Sequence, residues 1–211
     1  MVIKSLKLKN FRNYDFLSIE FDHATNIFYG DNAQGKTNIL EAVYLTGTTK
    51  SHRGTKDRDL IQFGNEESHI ETVIEKDGIE FQVDMHLKKN SPKGIAINKI
   101  PIRKASELFG LVHLVFFSPE DLNIIKNGPA ERRRFMDLEL SQLDKVYLSD
   151  LANYNRIINQ RNRLLKDCQN RAELNEMLDL WDMQLIQYGS RIMERREKFL
   201  EEVNEIISGI H

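Results

Sequence analysis

Eight consecutive residues, Gly30-Asp31-Asn32-Ala33-Gln34-Gly35-Lys36-Thr37, carry the strongest chemical signal in the chain. They fit G-x-x-x-x-G-K-[ST], the pattern of a loop that cradles nucleotide phosphates. Gly30 and Gly35 lack a Cβ, so the backbone there can take positive φ and come close to an anion. Successive N–H groups then form a concave nest, and the helix that follows aims its positive end at the same place. Lys36 is the candidate catalytic cation for the β- and γ-phosphates, and the Thr37 hydroxyl is the candidate Mg²⁺ ligand. The bland alternative is a glycine turn ahead of an ordinary helix, and the surroundings argue against it. Thr25 to Tyr29 reads as a short buried strand, and Thr37 to Leu45 places apolar side chains at helical spacing. Strand, glycine loop and helix is the order the motif requires.

The elements around the loop follow from periodicity. Val2 to Lys9 alternates, turn-formers interrupt at Asn10 to Tyr14, and alternation resumes from Phe16 to Phe21. A hairpin-like pair of strands therefore precedes the loop. Residues 46–56 are polar, basic and rich in hydroxyls, which reads as an exposed loop. From Ile70 onward the signals are those of strands. Asp77-Gly78 marks a hairpin, residues 79–87 alternate strictly, and Asn98-Lys99 separates another apolar pair. The expectation is an antiparallel sheet over about 70–102, packed as a second sheet beside the nucleotide-binding one.

Leu111 to Phe117 is continuously apolar and reads as a strand covered on both faces. Ser118-Pro119-Glu120-Asp121 then has the pattern of a helix start. Beyond Pro129 the chain reads as helical nearly to its end. Leu174, Leu178, Trp181, Leu185, Tyr188, Ile192 and Phe199 form a four-three seam broken at Arg195. The expected division is an α/β nucleotide-binding lobe over 1–117 and an incomplete helical lobe over 118–211.

Composition narrows the class. The chain has 211 residues, 29% charged and 40% hydrophobic, enough to bury a real core. No apolar run approaches the ~20 residues of a membrane-spanning helix. The N-terminus lacks the apolar core of a signal peptide. A single cysteine, Cys168, excludes an internal disulfide framework and fits a reducing compartment, so the cytoplasm is expected. The histidines lie far apart, which argues against a zinc site. Residues 1–58 carry nine Lys/Arg against six Asp/Glu, and residues 172–211 carry four against nine. A net charge of −2 therefore still permits a local phosphate-binding surface at the front.

Several stretches together resemble the RecF family of bacterial recombination-mediator ATPases, in the ABC/SMC-like class. They are Leu6 to Tyr14, Gly30 to Ala42, Lys50 to Arg53, Phe117 to Leu122 and Arg132 to Asp137. The resemblance implies an α/β P-loop NTPase head of ABC type, a mixed sheet plus an antiparallel β-subdomain, followed by a helical lobe. It implies ATP and Mg²⁺ as cofactors and an ATP-dependent homodimer that clamps DNA at gaps or junctions. RecR- and RecO-like mediators are the implied partners. Arg12 is expected near the nucleotide, with Asn13 and Asn38 from the same matched stretches. Lys50, Arg53, Arg132, Arg133 and Arg134 are the candidates for DNA contact. Helix-surface pairing of the three consecutive arginines with Glu131, Asp137 and Glu139 is the plainer reading.

The chain also departs from the family. Neither a Ser-x-Gly-Gln-type signature nor an apolar strand ending directly in acids occurs in it. Val115 to Asp121 resembles such a strand, but Ser118-Pro119 intervenes and places the acids in a helix start. The expectation is the N-terminal portion of a longer protein, a portion that binds ATP weakly at most and hydrolyses it negligibly. A P-loop kinase and another SMC-like head share the loop, and a non-catalytic scaffold is the reading from outside the enzymes.

Overall fold

The structure, a computed structural model, describes residues 1–167 and 171–210; Cys168 and the side chain of Leu174 lie outside the described residues. It divides into two compact units, Met1–Phe117 and Ser118–His211.

In the first unit, strand β1 (Val2–Phe11) turns at Arg12-Asn13 into β2 (Tyr14–Glu20). Strands β3 (Glu67–Lys76), β4 (Ile79–Lys88), β5 (Ser91–Ile97) and β6 (Ile100–Pro101) follow as a meander. Two of the three meander turns sit where left-handed backbone is available. Asp77 and Gly78 have φ of 54° and 77°, and Asn98 and Lys99 have 51° and 65°. Two successive positive φ values match the twist of the flanking strands.

The order is β2-β1-β3-β4-β5-β6, a single sheet rather than the two expected. The reason lies in β1, whose second edge pairs with β3, Leu6 opposite Thr72 and Leu8 opposite Ile70. Alternation then puts one face of the sheet in the core. Leu6, Leu8, Ile70, Ile74, Val83, Met85 and Leu87 are buried on it. The other face carries charged pairs such as Lys7 with Glu71 at 2.8 Å.

Helix α1 (Lys36–Thr48) buries Ile39, Ala42 and Leu45 in that core. Thr46 and Thr72 hydroxyls meet at 2.9 Å between helix and sheet, so neither is left unsatisfied. Gly47 lets Leu114 lie against the helix, since a Cβ there would stand 2.5 Å from the Leu114 Cδ1.

Two expected strands are absent. Residues 25–29 lie in none of the described strands, and Ile27 and Tyr29 are 78% and 91% exposed. Residues 115–117 are likewise outside every ladder, with Val115 99% exposed while Phe116 packs on Tyr44 and His52. Apolar composition specifies a side chain's need for cover, whereas a strand also needs a backbone partner, and neither segment pairs with a described strand.

The second unit opens at the expected helix start with a 3₁₀ turn, Pro119–Leu122, and the Ser118 N–H donates to Asp121 Oδ2 at 2.6 Å. Helices α2 (Asn123–Lys126), α3 (Pro129–Leu143), α4 (Lys145–Asp167) and α5 (Arg171–Ser208) follow. Leu140, Tyr147 and Ile192 form a small core with Leu151, Tyr154 and Phe199 around it. Ion pairs flank it: Arg196 to Asp137 at 2.6 Å, Arg195 to Asp144 at 2.9 Å, Arg161 to Asp182 at 2.7 Å. The break in the apolar seam at Arg195 is thus an interhelical ion pair. Among the described residues no helix is long and apolar enough to cross a membrane.

Candidate nucleotide-binding site

The phosphate loop runs from Gly30, at φ 137°, through Ala33 at 64° to Gly35 at 97°. Gly35 is required twice over. Its φ is left-handed, and a Cβ would lie 2.6 Å from the Tyr14 hydroxyl and 2.7 Å from the Asn13 amide group. It also supplies the carbonyl that accepts the first hydrogen bonds of α1, from Asn38 and Ile39. The amides of Lys36 and Thr37 precede those bonds and carry the positive end of the helix. Lys36 Nζ donates to the carbonyls of Gly30, at 2.7 Å, and Asp31, so the cation lies over the loop. Thr37 is exposed one residue on. Loop amides, ammonium and hydroxyl form a donor and ligand set that fits a triphosphate with Mg²⁺. Among the described residues no three His, Cys, Asp or Glu side chains converge to hold a metal by themselves.

One flank of the loop is built by the β1–β2 turn. Asn13 Nδ2 and the Tyr14 hydroxyl each donate to the Gln34 carbonyl at 3.3 Å. Asn38 Nδ2 donates to Asn13 Oδ1 at 2.8 Å, and Arg53 Nη1 donates to Asn38 Oδ1 at 3.3 Å. Behind this line sits Glu41, one turn beyond Thr37 and fully buried. It accepts Arg12 Nε at 2.9 Å and Nη2 at 2.8 Å, together with the Ser51 hydroxyl. Arg53 Nη1 stands 3.7 Å from the same carboxylate. Burial pushes the Glu41 carboxyl up, but the Arg12 and Ser51 hydrogen bonds and the charges of Arg12 and Arg53 outweigh it and hold it below the usual range. Arg12 also donates to the Asp59 carbonyl at 3.0 Å and to Thr55 Oγ1 at 3.1 Å. The guanidinium therefore ties α1, the hairpin tip and the basic loop together.

Of the residues expected at the site, the structure brings Arg12, Asn13, Asn38 and Arg53 to the loop's flank. Lys50 lies exposed just past the C-terminal end of α1. Arg132, Arg133 and Arg134 belong to the second unit, exposed at the start of α3. Arg134 pairs with Glu131 at 3.8 Å, whereas Asp137 is held by Arg196 and Tyr147. Sequence reasoning passed over Glu41. An acid on the core side of an apolar helix is a signal that a buried cation partner is needed. Beside the flank lies a cleft of about 790 Å³, running from Asn13, Asn38 and Arg53 to Phe63 and Lys89.

The sequence pattern of the AAA ATPase domain family matches residues 1–204. The chain belongs to that family. A relative named DNA replication and repair protein RecF, from Agathobacter rectalis, is 64% identical over all 211 residues, which cover 58% of its length. One of the same name from Clostridium botulinum is 46% identical and covered over 57% of its length. The chain thus spans less than two thirds of these curated relatives. A solved structure of the recombination mediator protein RecF with ATP, in the RecFOR pathway, aligns with a TM-score of 0.90 at 36% identity. That match covers 95% of this chain and 54% of the other. An SMC ATPase structure aligns at 0.52 with 20% identity, covering 65% of this chain and 98% of the other, a likeness of fold alone. The RecF resemblance and the P-loop α/β head of ABC type read from the sequence are borne out.

Proposed function

We propose that the chain is the nucleotide-binding N-terminal part of a RecF-like recombination mediator, an ATP-driven ATPase that acts on DNA in repair and replication in the cytoplasm. The carrying observation is the phosphate loop, with Gly35 at a position no other residue fills and Lys36 and Thr37 presented together. Lys36 neutralises the β- and γ-phosphates, Thr37 ligates Mg²⁺, and Asn13, Asn38 and Arg53 line the approach. The RecF–ATP structure supports ATP as the nucleotide.

In the longer protein two such heads close on ATP and hold DNA, with RecR- and RecO-like proteins as partners. Lys50, Arg53 and Arg132 to Arg134 supply backbone contacts to DNA, which makes binding fall with salt. The 211-residue chain binds ATP weakly at most and hydrolyses it negligibly, since its sequence carries no apolar strand ending directly in acids to orient the attacking water. Titration of the chain with Mg·ATP by calorimetry tests the reading. Lys36→Ala removes a charge-assisted contact of about 1.5–3 kcal/mol, so affinity should fall about ten- to a hundredfold. Equal affinity in the variant would overturn it, and ATP turnover that Lys36→Ala abolishes would overturn the non-hydrolytic part.

A further inference from the structure

Lys93 lies where the pairing of β5 with β4 slips. Gly94 faces His86 and Ser91 faces Lys88, so three steps along β5 match two along β4. A bulge of this kind re-aims a side chain out of the regular ladder. Here the Lys93 ammonium reaches both ends of the basic loop that follows α1. Its Nζ donates to the Thr49 carbonyl and, at 3.0 Å, to Asp57 Oδ1. Thr49 is buried and caps α1 at a φ of 60°, its own N–H returning to the Leu45 carbonyl at 2.8 Å. Its carbonyl stands at the negative end of the helix, where a cation is favoured. Asp57 opens the 3₁₀ turn Asp57–Leu60 on the far side of the loop. Only 18% of the Lys93 side chain is exposed, so these contacts are sheltered from most of the solvent.

The loop held in this way carries three of the groups that converge beside the phosphate loop. Ser51 donates to Glu41, Arg53 Nη1 reaches Asn38 at 3.3 Å and the Glu41 carboxylate at 3.7 Å, and Thr55 Oγ1 accepts Arg12 at 3.1 Å. Residues 50–56 belong to no helix or strand, so the loop has no ladder of its own to place those side chains. Fixing its two ends does so instead, by removing conformations that would otherwise have to be given up when Arg53 is ordered. We propose that Lys93 is a positioning residue of the nucleotide site: by tying Thr49 to Asp57 it holds Arg53 at the approach to the phosphates. This role rests on the phosphate-loop reading above. It connects the antiparallel meander to the nucleotide through an ammonium that stands at neither the glycine loop nor the hairpin tip.

The test uses the 211-residue chain and Mg·ATP, titrated by calorimetry. Lys93→Met leaves Arg53 to be ordered on binding, which predicts a loss of affinity of about three- to tenfold. Asp57→Asn removes the more exposed end of the same contact and should give a similar loss, which covers the case in which Lys93→Met does not fold. In the Arg53→Gln background the effect of Lys93→Met should shrink to within about twofold, because the two residues act through one loop. A merely structural lysine would lower the thermal midpoint equally in both backgrounds and leave their ATP affinities unlinked. Without nucleotide, deuterium uptake by the amides of residues 50–56 should quicken about tenfold in Lys93→Met, with β3 and β4 unchanged. Unchanged ATP affinity in Lys93→Met and Asp57→Asn overturns the proposal and leaves the phosphate loop standing. So does a Lys93→Met loss that adds in full to that of Arg53→Gln. Failure of the unaltered chain to bind Mg·ATP overturns the phosphate-loop reading and this one with it.

Discussion

Glu41 has no exposed surface, yet its carboxyl stays ionised, because three donors from two loops converge on it. A charge removed from water is stable only when paired and hydrogen-bonded, and Arg12 provides both in a two-pronged contact. Breaking such a pair by removing one partner leaves the other charge uncompensated, at a cost of about 3–5 kcal/mol when burial is complete. The Arg12 side chain keeps 18% exposure, which lowers the figure for Glu41→Gln to about 2–3 kcal/mol. That is a drop in thermal midpoint of about 5–10 °C for a chain of this size. The pH dependence gives the sign. Glu41 is depressed in the fold relative to about 4.3 unfolded. Its contribution is therefore complete above that value and is lost as pH falls through the lower folded value. Melts of both chains should differ most at pH 7 and converge toward pH 3. A gap of equal size at both would show that the charge is not what Glu41 contributes.

At the scale of elements, Asp144 joins three helices' worth of constraint in one side chain. Its N–H closes the end of α3 on the Leu140 carbonyl, its Oδ1 accepts the Val146 and Tyr147 amides that begin α4, and its Oδ2 holds Arg195 of α5. Burial raises its carboxyl, but those two amides and Arg195 outweigh it and hold it low. Asp144→Ala removes a helix cap of about 1 kcal/mol and a partly exposed ion pair of about 0.5 kcal/mol. Asp144→Asn retains the cap and loses only the pair. Thermal melts followed by helical circular dichroism should rank the unaltered chain, Asn and Ala in that order. Equal loss in both variants would assign the effect to the ion pair alone.

Elements of this kind were legible where the determinant is local. Left-handed turns at Asp77-Gly78 and Asn98-Lys99, the glycine loop, and a helix opening at Ala130-Glu131, one residue after its observed start at Pro129, each follow from a few neighbouring residues. What escaped depends on partners distant in sequence. The pairing of β1 with β3 joins residues some sixty positions apart, and alternation alone is silent about which edge meets which. Ile27, Tyr29 and Val115 read as buried because composition alone does not reveal whether a ladder exists. Glu41 escaped for the same reason: its cation, Arg12, precedes it by a hairpin and a loop.

For the molecule as a whole, these differences predict an uneven map of backbone opening. Strands β1, β3 and β4 are paired on both edges and carry the buried Leu6, Ile70, Ile74, Val83 and Met85. Their amides are released only when the first unit unfolds, so exchange with solvent deuterium should be slowed by about a thousandfold or more. Residues 25–29 and 115–117 belong to no ladder and expose Ile27, Tyr29, Val115 and Phe117. Their amides should exchange within about tenfold of an unstructured chain. Mg·ATP extends the prediction across the fold. Phosphates on the loop amides protect residues 30–38 directly. The links from Gln34 through Asn13 and Asn38 to Arg53 then carry protection to the hairpin tip and the basic loop. The amides of helix α3, in the second unit, should exchange at an unchanged rate. Deuterium uptake with and without Mg·ATP reads both predictions at once. Protection confined to 30–38 would mean that the hydrogen-bonded flank is passive. Protection spread evenly through both units would mean that ATP stabilises the chain globally rather than through this site.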